Sequence, residues 1–87
     1  MEKKIYVITE YGVCDEHYHV TKAYGSEEEA NKAWEIVRED MRIEAEAHEL
    51  KLDEWSRGDW KEAEYYDEED TLGNFHRATL ESMTINV

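Results

Sequence analysis

One long helical pattern, from Ser26 to Arg57, occupies more than a third of the chain and limits what the rest can fold into. Ser26 stands three residues before Glu29, the spacing of a capping box, in which the serine hydroxyl accepts a hydrogen bond from the Glu29 amide. Arg57 and Gly58 have the composition of a helix end, because glycine adopts a positive φ without strain. Between these ends, side chains that could face a core recur at spacings of three and four, as an amphipathic helix requires. They are Ala30, Trp34, Val37, Met41, Ala45, His48, Leu52 and Trp55.

A helix over residues 26–57 is long for the strands around it. At about 1.5 Å per residue it would span roughly 46 Å. A nine-residue strand spans only about 30 Å. We therefore expect either that the C-terminal part of the helix extends past the sheet, or that the helix breaks between Ala45 and His48.

Three segments outside the helical pattern are rich in β-branched and aromatic residues and predict strands. Residues 3–11 and 17–24 have matched lengths and a short connection, which predicts an antiparallel hairpin. Residues 75–86 predict a further strand. Along it, the apolar residues switch twice between odd and even positions, that is, between the two faces of the strand. A bulge would explain this change, and so would a sheet that is partly covered on both faces.

Residues 59–70 fit two structures. Asp59 and Glu62 repeat the capping-box spacing, and neighbouring residues recur at helical intervals, which would give a short second helix over residues 59–67. Residues 63–66 could instead pair as a strand with the C-terminal segment. We favour the strand.

The chain has 87 residues and enough apolar side chains for one modest core, so we expect a single domain over residues 1–87. The predicted class is α+β: an antiparallel sheet, ordered ββαββ or ββαβ with the second short helix, packed on one amphipathic helix over residues 26–57.

The one cysteine, Cys14, excludes an internal disulfide and fits a reducing compartment. The apolar run at residues 5–8 is too short for a signal peptide, and no segment approaches the roughly 20 apolar residues of a membrane span. We therefore expect a cytoplasmic protein.

The order of hairpin, capped helix and C-terminal strand resembles that of small ββαβ proteins encoded in bacterial and phage genomes. Residues 4–9, 24–30 and 84–86 carry the resemblance, with the sequences Lys-Ile-Tyr-Val-Ile-Thr, Tyr-Gly-Ser-Glu-Glu-Glu-Ala and Thr-Ile-Asn. The resemblance concerns architecture, so it implies a fold and transfers no active site. For a phage-encoded protein it would imply the host cytoplasm as the location.

Charge is the strongest signal in the composition. The chain carries −13 at pH 7, of which residues 26–58 and residues 59–70 contribute −6 each. Nucleic acid and anionic membranes repel such a protein, so we expect neither as a direct partner. A basic protein attracts it. An acidic surface can also serve only to keep a small protein in solution.

No motif in the sequence specifies catalysis, a metal or a cofactor. His17 and His19 share one predicted strand face, but a structural zinc site needs four ligands and no other residues show that spacing. Two acidic residues follow Cys14, which disfavours a reactive thiolate. No carboxylate lies in a predicted apolar pocket that would shift its pKa. We expect a protein that is not an enzyme and needs no cofactor or metal.

The remaining hypothesis is protein recognition by residues 60–70, which interleave aromatic side chains with carboxylates. Aromatic residues supply rigid contact area, and carboxylates accept bidentate hydrogen bonds from arginine. The candidate partner-binding residues are Trp60, Glu62, Glu64, Tyr65, Tyr66, Asp67, Glu68, Glu69 and Asp70. In physical type they resemble the small acidic inhibitors that act on nucleases and CRISPR effectors, which implies carboxylates that mimic phosphates on a basic nucleic-acid-binding surface. In the alternative interpretation, the aromatic residues belong to the core and the acidic residues only solvate it.

A structural alternative follows from the length of the helix. If the helix extends past the sheet, Leu50, Leu52 and Trp55 need cover, and a second copy of the chain would supply it. This predicts a homodimer without catalytic activity, formed through the C-terminal half of the helix. If residues 59–70 fold back over these side chains instead, no dimer is needed.

Overall fold

The computed structural model describes residues 1–14, 16–67 and 75–86. This part of the chain contains five strands and one helix in the order ββαβββ. The strands are β1 (Glu2–Cys14), β2 (Glu16–Tyr24), β3 (Asp53–Arg57), β4 (Trp60–Tyr66) and β5 (Phe75–Asn86), and the helix α1 spans Glu27–Ala47. The α+β class is confirmed. The predicted order ββαββ lacked one strand, β3.

The five strands form one antiparallel sheet in the order β2-β1-β5-β4-β3. The predicted hairpin of β1 and β2 is confirmed. β5 enters between β1 and β4, so the C-terminal strand joins two hairpins into a single sheet. Its register with β1 runs unbroken from Asn86 to Phe75, which leaves no place for the bulge considered from the sequence. The parity change instead puts apolar residues of β5 on both faces of the sheet.

α1 packs on one face of the sheet and closes the core there. Its start confirms the predicted cap, because the Ser26 hydroxyl accepts a hydrogen bond from the Glu29 amide at 3.2 Å. The buried residues of the predicted stripe are Ala30, Trp34, Met41 and Ala45. They meet side chains of β1, β4 and β5 that alternate toward the helix, namely Tyr6, Ile8, Ala63, Ala78 and Leu80.

The helix ends at Ala47, so the prediction of one helix over residues 26–57 is wrong. The alternative prediction, a break between Ala45 and His48, is confirmed. Within the described ranges, no helix has the length and the apolar character needed to cross a membrane.

A Schellman motif ends α1. The Leu50 amide donates to the Ala45 carbonyl at 2.8 Å, and the Glu49 amide donates to the Glu46 carbonyl at 3.0 Å. This pattern needs one residue in the left-handed conformation, and Glu49 adopts it with φ 59°. Glycine or asparagine usually occupies that position, so the sequence carries no signal for the helix end.

Residues 53–57, predicted as the last turns of the helix, form β3 instead. Trp55 fits the helical stripe by its spacing, yet it pairs with Glu62 of β4. Gly58 has the predicted positive φ, 60°, but it serves the two-residue turn between β3 and β4 rather than a helix end. Glycine at the first position of such a turn is typical of a type II′ hairpin.

The segment after Gly58 forms strand β4, as favoured, and the short second helix considered for it is wrong. Ala63 pairs with Ala78 of the C-terminal strand. Asp59, which could have capped the second helix, instead forms an ion pair with Lys4 at 2.5 Å. It also accepts a hydrogen bond from the Ser82 hydroxyl at 3.2 Å, so the β3–β4 turn contacts both β1 and β5.

Candidate partner-binding surface

The sheet face opposite α1 is not covered by any element of residues 1–14, 16–67 and 75–86, and we call it the open face. The alternation along each strand and the register between strands define its members. They include Ile5, Val7, Tyr11, Asp53, Trp55, Trp60, Glu62, Glu64, Tyr66, Phe75, Arg77, Met83 and Ile85. An uncovered face with this many apolar and aromatic side chains is typical of an interaction site.

Four large side chains of the open face remain strongly exposed. Trp55 exposes 53% and Tyr66 57% of their surface. Met83 exposes 42% and Ile85 36%. Val7, on β1 between β2 and β5, exposes only 9% of its surface. The two aromatic residues therefore mark the β3–β4 side of the face.

Arg77 interacts with side chains of three neighbouring residues on the open face. Its Nη1 donates to the Tyr11 hydroxyl at 2.7 Å, and its Nη2 lies 2.6 Å from a Glu62 carboxylate oxygen. Its Nε lies 4.0 Å from the Glu64 carboxylate, at the limit of an ion pair. Glu62 is thus neutralised within the protein, whereas the side chain of Glu64 stays half exposed. Of these two predicted binding carboxylates, Glu64 is the more accessible to a partner.

Two carboxylates oppose each other at the β3–β4 side of the face. Asp53 lies directly opposite Glu64 in the register of β3 and β4, and both residues are exposed. Like charges directly opposite on neighbouring strands destabilise a sheet. Trp55 and Tyr66 are the next open-face residues along the same two strands. The β3–β4 hairpin therefore presents a carboxylate pair flanked by aromatic rings.

The predicted binding residues fall into three locations. Those on the open face are Trp60, Glu62, Glu64 and Tyr66. Tyr65 faces α1, is only 2% exposed and donates from its hydroxyl to Glu44 at 3.2 Å. Tyr65 is therefore a core residue, as the alternative interpretation had it, and is not accessible to a partner. Asp67 follows β4 and is half-buried. Glu68, Glu69 and Asp70 lie outside the described residues.

The residues predicted for a helix-mediated dimer do not lie on a helix. Leu50 and Leu52 follow α1, and both are half-buried. Leu52 packs against the core. Trp55 stands in β3 and belongs to the open face. The three residues therefore share no helix face, and the homodimer itself stays a prediction.

A buried polar cluster, which we call the His76 cluster, was not predicted. The Nδ1 atom of His76 lies 3.1 Å from the Glu44 carboxylate, and its Nε2 lies 3.2 Å from the Glu10 carboxylate. Only 6% of the residue is exposed. Burial lowers the pKa of His76, but the two carboxylates outweigh burial, so that the pKa lies above its ordinary value. A ring with both nitrogens donating is the protonated form, and it joins β1, β5 and α1.

The alternation of residues between the two faces of each strand was the sequence signal that could have revealed the His76 cluster. His76 shares its strand face with the buried Leu80, and Glu10 shares its face with the buried Ile8. Glu44 lies close to the buried stripe of α1. A polar residue on a core face is a candidate for a buried hydrogen-bonded group. The sequence did not show that the three residues meet, because they come from three different elements.

Among the residues that the structure describes, no group of three or more His, Cys, Asp or Glu side chains is arranged to hold a metal ion. His17 and His19, the pair considered from the sequence, both stand in β2, but the side chain of His17 lies outside the described part of the structure.

Comparison of the chain with protein-family models, with curated proteins and with solved structures found no match in any of the three. The resemblance to small bacterial and phage ββαβ proteins stays a prediction.

Proposed function

We propose that the protein is a non-catalytic binding module whose open face, at β3 and β4, engages a basic protein. The observation that carries this proposal is the exposure of Trp55 and Tyr66 beside the opposed carboxylates Asp53 and Glu64. Large aromatic side chains dominate the energy of many protein interfaces. Carboxylates next to them select for arginine or lysine on the partner.

The opposed carboxylates favour a cationic ligand for a second reason. In the free protein Asp53 and Glu64 repel each other across the two strands. A guanidinium placed between them would donate hydrogen bonds to both and would remove the repulsion. Binding would therefore also recover the free energy that this repulsion costs the free protein. Glu62 contributes less, because Arg77 already neutralises it.

The charge of the whole chain supports the same class of partner. A net charge of −13 attracts a basic surface over a long range and accelerates association. Extended basic surfaces are the electrostatic footprint of nucleic-acid-binding proteins. We propose such a protein, for example a nuclease or a CRISPR effector, as the partner. The carboxylates would then occupy phosphate positions and inhibit nucleic-acid binding.

Asp53→Lys separates binding from folding. The new lysine would pair with Glu64, so the free energy of unfolding should rise by roughly 0.2–1 kcal/mol. Partner binding should fall by about tenfold or more, the loss expected from removing one buried charge contact. Unfolding in urea measures the first effect. Affinity capture from a cell lysate at low and high salt, followed by competition with a DNA duplex for the captured protein, measures the second.

Two control variants show whether the site or only the net charge matters. Asp40→Lys makes the same charge change at an exposed position on the outer side of α1. Trp55→Ala should weaken capture as Asp53→Lys does, whereas Ile36→Ala removes a comparably exposed apolar side chain from α1 and should not. Equal losses in Asp53→Lys and Asp40→Lys would contradict a localised site, and so would full capture by Trp55→Ala.

A further inference from the structure

The two edges of the sheet differ in how they resist pairing with another strand. β3, at one edge, has five residues, of which Asp53, Glu54 and Arg57 are charged. Short length and charge are the usual means by which proteins protect an edge strand. β2, at the other edge, has nine residues and pairs with β1 without a bulge along its whole length. The β2 edge is therefore long and regular, and no described strand covers it.

The side chains of β2 offer little protection to this edge. β2 contains only two fixed charges, the carboxylate of Glu16 at its first residue and the ammonium of Lys22. Residues 19–23 are exposed, so neither face of the strand is covered along this stretch. Among residues 19–24, whose side chains the structure describes, only Tyr24, at the end next to α1, packs against the core. A long edge strand with few charges is a template for adding a strand.

We infer that β2 pairs with β2 of a second copy of the chain, so that two five-stranded sheets join into one ten-stranded antiparallel sheet. A two-fold axis at Thr21 would place Lys22 opposite Val20 of the other copy, and Ala23 opposite His19. No like charges then face each other across the new pair. A self-complementary patch of this kind is what a symmetric dimer requires.

Charge selects a second copy as the occupant of this edge. Two molecules of −13 repel each other, so association is least opposed at a contact that itself carries little net charge, and within β2 the charges of Glu16 and Lys22 cancel. Residues 1–25 carry only −1, whereas residues 26–70 carry most of the negative charge. In the sheet, β3 lies four strand spacings from β2, roughly 19 Å. That distance exceeds the Debye length of about 8 Å at physiological salt, so pairing through β2 keeps the acidic edges apart.

The dimer would present the β3–β4 side of the open face twice, once at each end of the joined sheet. Two linked copies of a binding site can bind a partner with repeated basic sites more tightly than one copy does. This inference does not depend on the proposed function, because it concerns the opposite edge of the sheet. The two also respond to salt in opposite directions. Salt screens the repulsion between copies and should strengthen the dimer, whereas it should weaken binding to a basic protein.

The mass of the full chain in solution, measured by light scattering across protein and salt concentration, tests the inference. We expect the mass to rise from 10.4 kDa toward twice that value with concentration, and to do so at lower concentration when salt is added. Val20→Lys places a second cation on the exposed edge and should keep the protein monomeric. Ile85→Lys adds the same charge on the open face and should leave the dimer intact.

If Val20→Lys fails to fold, as judged by circular dichroism, Thr21→Lys replaces it, because Thr21 is exposed on the other face of the same strand. A mass of 10.4 kDa at every concentration and salt would overturn the inference. A dimer that survives both edge variants would also overturn it. A dimer that Ile85→Lys disrupts, while the edge variants do not, would move the contact to the open face.

Discussion

The His76 side chain connects three secondary-structure elements, β1, β5 and α1. Its ring lies between the carboxylates of Glu10 on β1 and Glu44 on α1, and it is almost fully buried. A buried polar group of this kind contributes only while its hydrogen bonds are complete, because an unpaired group in the interior costs free energy. The protonation of His76 is therefore coupled to the stability of the fold.

The free energy of unfolding should fall as the pH rises above 6.5, the ordinary pKa of a histidine side chain. The pKa of His76 in the folded protein lies above 6.5, its ordinary value. The stabilisation is therefore complete below pH 6.5 and is lost as the pH rises through the higher pKa of the folded state. Unfolding in urea at a series of pH values measures this. His76→Gln should flatten the curve in this range, and His19→Gln, at an exposed position, should not.

A decline in stability that persists unchanged in His76→Gln would assign the effect to other groups. A rise in stability with pH would show that burial outweighs the two carboxylates. In that case the ring would be neutral in the folded protein, with a pKa below its ordinary value.

At the scale of elements, the end of α1 decides the fold of the next ten residues or so. The Schellman motif at Glu49 turns the chain back, so that β3 and β4 can join the sheet. Glutamate in the left-handed conformation carries a steric cost of about 1–2 kcal/mol, which glycine avoids. The native sequence tolerates this cost because the turn and the packing of Leu52 hold the conformation.

Glu49→Gly should stabilise the protein by about 0.5–1 kcal/mol, because the relief of strain exceeds the entropy that glycine adds to the unfolded chain. Thermal or urea unfolding measures the change. Glu35→Gly, in the interior of α1, is the matched control and should destabilise by about the same amount. If Glu49→Gly destabilised the protein, the Schellman motif would not be the conformation that ends the helix.

At the scale of the whole molecule, charge is distributed unevenly over an elongated body of 49 × 20 × 18 Å. Ion pairs such as Arg38 with Glu54 and Arg42 with Glu46 reduce the repulsion locally. Exposed pairs of this kind contribute at most about 1 kcal/mol each. The excess of carboxylates remains, and it acts against the compact state.

The melting temperature should therefore rise by a few degrees when salt is increased from about 0.01 M to about 0.1 M, which shortens the Debye length from about 30 Å to about 10 Å. Calorimetry at one low protein concentration measures the shift without a contribution from association. Asp40→Lys lowers the excess of carboxylates and should show a smaller rise. A melting temperature that falls with salt would mean that the ion pairs outweigh the repulsion.

The sequence by itself determined the elements whose signals are local. The Ser26 cap, the buried stripe through Trp34 and Met41 and the first hairpin all follow from spacing and residue type, and the structure confirms them. Local signals failed at Glu49, because no turn residue marks the helix end there. The spacing of Leu52 and Trp55 then extended the helical pattern falsely into β3.

Only the tertiary structure decided which side chains share a surface. The sequence pattern grouped Tyr65 with Tyr66 as binding residues, yet strand alternation places Tyr65 in the core and Tyr66 on the open face. The sequence could not show that Asp53 lies opposite Glu64, or that Glu10 contacts His76, because both contacts depend on strand order and register. Residue types fix what each segment prefers locally, whereas long-range pairing fixes which segments meet. The candidate site arises from the second kind of information.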